Sequence, residues 1–368
     1  MNELDYMRGF AIIAIVTIHV MGFALVIDHP NIITPIANYL THLADFGVPL
    51  FLLISGYILG LRYFGKLDPK RFYGRRLKTI LLPYIFFAFV YAIFNWFFMD
   101  QRSINDQLIS FILFSGTRAL WFVAVIIQLY LLFPYLVRFY KRLERTNDEI
   151  LLLIIPLAIY LLWYAVIEGA FINSMGGYFG VSYYYANLMM RLICLPYLVF
   201  FTAGMYLSRH RDEVKIAMGK ANQWIVAVLA LLLALVLQFF PSGFIWSVFL
   251  LPFVALMSIS LYRLSLWLKD HAGMPARMIR TVGLYSYGIY LVHMLAISIV
   301  TKPLYTMGLG VEDALFYILM MPGVVAISVL IIYILGRLPY GRYLSGIKTG
   351  PKSGMEKSPG QSSRGVHD

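Results

Sequence analysis

The chain of 368 residues is 61% hydrophobic and 13% charged, with a mean hydropathy of +0.76, which excludes a soluble globular domain and points to an integral membrane protein. Its net charge of +12 would suit a nucleic-acid partner, but the basic residues lie in loops between apolar spans, where the positive-inside rule accounts for them without one. The single cysteine, Cys194, sits in an apolar run, excluding an intramolecular disulfide and any cysteine-based metal cluster.

In chain order, the first apolar run begins just after Asp5 and Arg8 and carries His19 well inside it. Arg8 and His19 are eleven residues apart, which on a helix leaves their side chains only about 20° apart, with Asp5 within about 40° of the same stripe. His19 falls roughly 14 Å beyond Phe10, near the middle of a ~30 Å hydrocarbon core. An ionisable group there is costly and marks either a function or a hydrogen bond that holds the bundle together. Glu3, Asp5 and Arg8 in the leading segment, and Asp28-His29-Pro30 at its end, argue against a cleaved signal and for a retained first helix.

About ten stretches are long and apolar enough to span a bilayer: 10–27, 46–64, 80–99, 119–138, 150–167, 188–207, 224–240, 243–262, 282–301 and 315–336. The shorter stretches 31–43 and 104–115 read as interfacial or re-entrant. The expected fold is therefore an all-α polytopic membrane bundle. Of the 30 basic residues, 26 fall at the N-terminus, in alternate loops and in the C-terminal tail, while the opposite loops hold only Arg102, Arg118 and Lys302, and Arg191 lies within a span. This alternation predicts an even number of spans in the cell membrane with both termini cytoplasmic, 62–79 inside and 168–187 outside. Residues 1–344 form one membrane domain, and the Gly-, Ser-, Pro- and Lys-rich stretch 345–368 is expected to be a disordered cytoplasmic tail. No internal repeat is visible, which disfavours repeat-built transporters.

Phosphate-binding glycine loops, zinc-protease helices and nucleophile elbows are absent, so the candidates are polar residues within or at the ends of spans. In the second span Pro49, Ser55, Gly56 and Gly60 suit close helix packing. At the start of the third, Arg75, Arg76 and Lys78 beside Pro83 are either topogenic charges or a phosphate clamp, since arginine forks fit phosphate oxygens. At the outer start of the fourth, Arg118 and Trp121 suit an interface belt, and Trp121 would alternatively stack on a sugar ring. Glu168, Asn173 and Tyr183 to Tyr185 are weaker candidates for meeting a polar acceptor. In the ninth span Ser286, Tyr290 and His293 make one polar stripe, and His293 lies roughly 16 Å beyond Val282, a depth like that of His19. Two histidines at one depth suggest a shared midplane cavity.

Several stretches together resemble the integral-membrane acyltransferase-3 superfamily, bacterial O-acyltransferases of surface polysaccharides and related acceptors. They are Leu4 to Gly9 with His19, Gly47 to Phe51 with Ser55 and Gly56, Phe72 and Tyr73 with Arg75 to Tyr84, Leu120 to Phe122 with Tyr130 and Pro134, and Tyr285 to Tyr287 with Tyr290, Leu291 and His293. The resemblance implies about ten membrane helices, an acyl-CoA donor read from the cytoplasm and an acceptor delivered nearer the outer face. Arg8 and His19 match the family's Arg-x₁₀-His pair. Its Arg-x-x-Arg element reads Arg75-Arg76-Leu77-Lys78 here, keeping the charge but losing one bidentate fork. The SGNH-type domain fused to some members is not seen, so transfer is expected to finish within the membrane domain or pass to a partner.

The expected activity is transfer of an acetyl or other short acyl group from acyl-CoA, foremost acetyl-CoA, to a hydroxyl of a cell-surface glycan or lipid-linked sugar, with no metal. His19 is the expected general base, and His293 a partner that orients the acceptor or steadies developing charge. Arg8, Arg75, Arg76 and Lys78 would hold the CoA phosphates, and Trp121, Ser286 and Tyr290 would meet the acceptor. The rival reading is a transporter of such a molecule without acyl-transfer chemistry.

Overall fold

The computed structural model describes residues 2–26, 31–98, 119–177, 183–220, 222–240, 242–271 and 273–346, which are helical almost throughout, with no strand among them. Helix α1 (Asn2–Met21) ends in a 3₁₀ turn (Gly22–Val26) and is followed by α2 (Ile33–Leu43) and α3 (Gly47–Tyr63). Next come α4 (Pro69–Arg76), a π-helical turn (Leu77–Leu81) and α5 (Leu82–Phe98). Helices α6 (Trp121–Thr146) and α7 (Leu151–Leu162) lead through a second π turn (Trp163–Ile167) to α8 (Glu168–Gly177). Then α9 (Tyr183–Leu192), a 3₁₀ turn (Leu195–Tyr197), α10 (Leu198–Arg209), α11 (Arg211–Lys220), α12 (Gln223–Leu237) and α13 (Gly243–Asp270) follow. The described chain closes with α14 (Met274–Leu284), α15 (Ser286–Thr306), α16 (Ala314–Arg337) and α17 (Gly341–Leu344).

Among the described residues, eight stretches are long and apolar enough to cross a membrane, and eight of the expected spans each overlap one of them for most of their length. The other two differ. The stretch 188–207 is interrupted between α9 and α10, where Pro196 offers no N–H to continue a helix. Helix α12 covers 224–240 only in part, and its 15 residues rise about 22 Å, less than a hydrocarbon core. The expected interfacial stretch 31–43 is helix α2, which turns at Ala44 to Phe46 into α3 and packs on α1 and α12. The stretch 104–115 and the tail beyond Gly346 lie outside the described residues.

Helix α1 is the hub, packing against α2, α3, α13, α14, α15 and α16. A helix apolar on every side can sit in such a place, and Leu4, Met7, Ala11, Ile12, Ile15, Val16 and Val20 are all buried. Lipid tails are as apolar as leucine, so helices associate through close packing of small residues. A Cβ on Gly9 would strike the carbonyl oxygen of Ile279, and one on Gly283 that of Asp5, so α1 and α14 cross backbone to backbone. Between α3 and α10, Gly56 and Gly204 are filled in the same way by Phe201 and Leu53, and Gly60 by Ser208, the packing role expected of Gly56 and Gly60. Outward-facing Ile225, Val228, Leu229 and Leu232 of α12 are exposed, as a lipid-facing surface requires.

The basic loops meet at one end of the bundle. Lys141 donates to the carbonyl of Gly65 at 3.4 Å, Arg209 pairs with Glu144 at 2.8 Å, and His210 meets Glu149 at 2.8 Å. Helix α14 brings its own arginines to the start of α1. At the opposite end, Asn31 donates to the carbonyl of Glu312 at 3.1 Å and Tyr39 to that of Leu231 at 3.4 Å.

Candidate active site

Helices α1 and α15 both start at the basic end and bring His19 and His293 face to face, with ring centroids 5.0 Å apart and planes at 45°. His293 is fully buried, and its Nδ1 lies 2.7 Å from the carbonyl oxygen of Tyr290. A carbonyl only accepts, so Nδ1 carries the proton and Nε2 the lone pair. That Nε2 is buried and has no hydrogen-bond partner among the described residues. His19 is half-buried, so it is the more accessible ring of the two.

Backbone groups around His293 are tied down from two sides. The Tyr91 hydroxyl donates to the carbonyl of Leu291 at 3.0 Å and accepts from the N–H of Leu295 at 3.3 Å, two groups that are also each other's helical partners in α15. The Tyr290 hydroxyl donates to the carbonyl of Ala119, just before α6, and its ring meets Phe122 edge-on at 5.7 Å. Ser286 is buried at the first position of α15. The expected stripe of Ser286, Tyr290 and His293 thus faces inward.

At the basic end, Arg8 lies 3.7 Å from Asp5, one turn earlier on α1, and both side chains are largely buried. The charge of Arg8 also acts on Arg76 and Tyr130, so the three share one locale. The Arg76 guanidinium stands 4.9 Å from the centre of the Tyr130 ring and 5.4 Å from that of Phe72, cation–π distances that hold it without consuming its N–H donors. Its Nε is buried and makes no hydrogen bond among the described residues.

Arg75 and Lys78 are exposed. The four expected clamp cations are therefore not all brought together: Arg8 and Arg76 lie within electrostatic reach of each other on the inner side, while Arg75 and Lys78 are exposed. Neighbouring helical side chains diverge by 100°, and the widened π turn adds to this. In that turn the N–H of Leu82 bonds the carbonyl of Leu77, five residues back. Pro83 has no N–H for the carbonyl four residues back, and its ring needs room, which explains the widening. The Tyr287 hydroxyl donates to the carbonyl of Ile80 in this turn at 2.7 Å, tying α15 to the arginine-bearing segment.

On the far side of the histidines, Trp121 packs on Tyr197 with ring centroids 5.5 Å apart. Tyr197 ends the 3₁₀ turn that interrupts α9 and α10, and Gln128 of α6 holds this interruption. Its Nε2 donates to the carbonyl of Leu192 at 2.6 Å and its Oε1 accepts from the N–H of Cys194 at 3.3 Å. Glu168 is half-buried and Asn173 exposed; Arg118 and the side chains of Tyr183 to Tyr185 lie outside the described residues. Gln128, Tyr91, Tyr130 and Tyr197 were not singled out as site residues from sequence spacing. A lone glutamine in an apolar run is a signal for the first. Tyr91 carries none, being one of 27 tyrosines.

Two imidazoles at one depth in an apolar bundle, one with a lone pair that has no partner among the described residues, mark the place where a function is to be sought. The chain is thus a multi-pass membrane protein in which two imidazoles face each other inside the bundle. The acyltransferase-3 family model, described as an acyltransferase domain, matches residues 1–333, and the chain belongs to that family. It is a membrane acyltransferase, as the resemblance in the sequence implies. No curated protein and no solved structure matches the chain.

Proposed function

We propose that this protein transfers an acetyl or other short acyl group from acyl-CoA to a hydroxyl of a cell-surface glycan or lipid-linked sugar, in the cell membrane, with the basic end and both termini cytoplasmic. The observation that carries this reading is the arrangement along α1. Arg8 and His19 stand about 16 Å apart on one helix; His19 faces His293 and Arg8 lies within electrostatic reach of Arg76, each from another element. An extended pantetheine arm can bridge that distance. Arg8 and Arg76 would hold CoA phosphates, with Arg75 and Lys78 meeting those that remain in water, and the thioester would reach His19 from the basic end.

Within the site, His19 takes the proton from the acceptor hydroxyl as its oxygen attacks the thioester carbonyl. The C–S bond then breaks and the departing CoA thiolate recovers the proton from His19. His293, fixed through Nδ1, presents its Nε2 lone pair towards the pair's shared space and orients His19 or the hydroxyl. Ser286, Tyr290 and Trp121 line the walls between the two access routes.

The purified protein in proteoliposomes should release CoA from acetyl-CoA when a sugar acceptor is present, with no ion gradient. Surface glycans and lipids from cells with and without the protein should differ by an acyl increment in mass spectrometry. CoA release that never exceeds that of protein-free vesicles, together with unchanged glycans, would count against acyl transfer. Cysteines placed at Lys66 and Ser174 should label from opposite sides of the membrane; labelling from the same side overturns the topology.

A further inference from the structure

Irregular backbone at membrane depth persists only where protein buries it or where it lines a cavity. The interruption between α9 and α10 is such a place, fastened by both ends of the Gln128 amide. One residue before the end of α9 stands Arg191, exposed and with no hydrogen bond or ion pair among the described residues. The carbonyl of the next residue, Leu192, is bonded by Gln128 of α6, the helix that begins at Trp121, and the Arg191 charge reaches His19, Tyr164, Glu168 and Tyr197, so the residue stands near the half-buried histidine and an aromatic wall. That wall is built of Trp121 against Tyr197 at 5.5 Å, and of Tyr164 edge-on to Trp246 at 6.1 Å. Glu168 makes no ion pair with it, so among the described residues nothing occupies the arginine fork.

An aromatic face, a carboxylate and an open guanidinium are the parts of a site for an acidic sugar. The ring stacks on Trp121 or Tyr197, Glu168 accepts from sugar hydroxyls, and the fork takes a carboxylate or phosphate in bidentate fashion. Charge balance favours an acidic over a neutral ligand. When His19 holds the acceptor's proton, an unneutralised Arg191 repels it, and an acidic group bound to Arg191 removes that repulsion. Resting on the acyl-transfer reading above, we propose that Arg191 selects acceptors bearing an acidic group, a carboxylate or a phosphate, and seats it so that a neighbouring hydroxyl faces His19.

The test uses the full chain in nanodiscs of neutral phosphatidylcholine, with methyl β-glucuronide, glucose 1-phosphate and methyl β-glucoside as probes. Binding is read by thermal shift without donor, and turnover by CoA release from acetyl-CoA. At least one acidic probe should bind about tenfold or more tightly than the neutral glucoside, the worth of one charge-assisted contact. Arg191→Gln should bring that ratio to within about twofold of one, and Arg191→Lys should restore part of it. Equal binding of acidic and neutral sugars by the wild-type protein overturns the proposal, whatever the turnover. A preference that survives Arg191→Gln, or that appears only in nanodiscs doped with phosphatidylglycerol, overturns it too, the latter by making Arg191 a lipid contact. Arg191-dependent binding without CoA release from any probe would support the site while counting against acyl transfer. Turnover that favours the glucoside would do the reverse.

Discussion

The two ends of the path along α1 are built on one plan with different fixings. At the basic end Arg8 lies within electrostatic reach of Arg76, and rings hold the second cation: Tyr130 and Phe72 lie against its guanidinium. At mid-depth His19 meets His293, and backbone holds the second ring: the Tyr290 carbonyl takes its Nδ1 proton. Aromatic faces attract a cation without using its N–H donors, which on the proposed reading would leave those donors for phosphate oxygens. A carbonyl instead settles which ring nitrogen carries the proton, which is what proton transfer requires. On the proposed reading, like residues would serve charge at one end and protonation state at the other.

The sharpest way to separate the two ends is His19→Ala, which should lower turnover by about 10²- to 10⁴-fold, the usual worth of a positioned acid-base group, while CoA still binds. Near wild-type turnover in a folded variant would return His19 to a packing role. Arg76→Ala should do the opposite, weakening CoA binding roughly 10- to 100-fold in calorimetric titration. An unaltered affinity would mean that the rings against Arg76 hold it for structure alone. Tyr91→Phe tests whether the fixing of α15 matters to His293. With the hydroxyl gone, Leu291 and Leu295 keep each other as helical partners, so stability should change by no more than about 1 kcal/mol. Single-turnover acyl transfer should still slow about three- to tenfold at constant CoA affinity, because the histidine shifts. An unchanged rate would leave Tyr91 as a packing residue. The smallest effects should come from Arg75→Ala and Lys78→Ala, exposed charges worth under about 1 kcal/mol each, so that CoA affinity falls by no more than about fivefold. A loss as large as that of Arg76→Ala would show that all four cations act as one clamp.

Periodicity in the sequence by itself determined that the chain is a helical membrane bundle, because a long apolar run has few other ways to satisfy its backbone in lipid. It also set Arg8 and His19 on one face of one helix, since eleven residues are almost a whole number of turns. The Gly56 and Gly60 packing stripe was legible for a similar reason, small residues one turn apart having few uses in a membrane other than close approach. Tertiary structure decided what two separate helices do to each other. Equal depth suggested that His19 and His293 share a cavity, but only the packing of α15 on α1 put their rings 5.0 Å apart. Spacing at 100° already sets Arg75 and Arg76 on different faces of α4, but only the packing of Arg76 against Tyr130 and Phe72 decided that it is the one turned inward, with Arg75 and Lys78 left exposed. The span 188–207 read as continuous because hydropathy is blind to a single proline. Its interruption at Pro196 depends on Gln128 of another helix to satisfy the backbone groups of Leu192 and Cys194, and such a bond between residues more than sixty positions apart exists only once the bundle has formed.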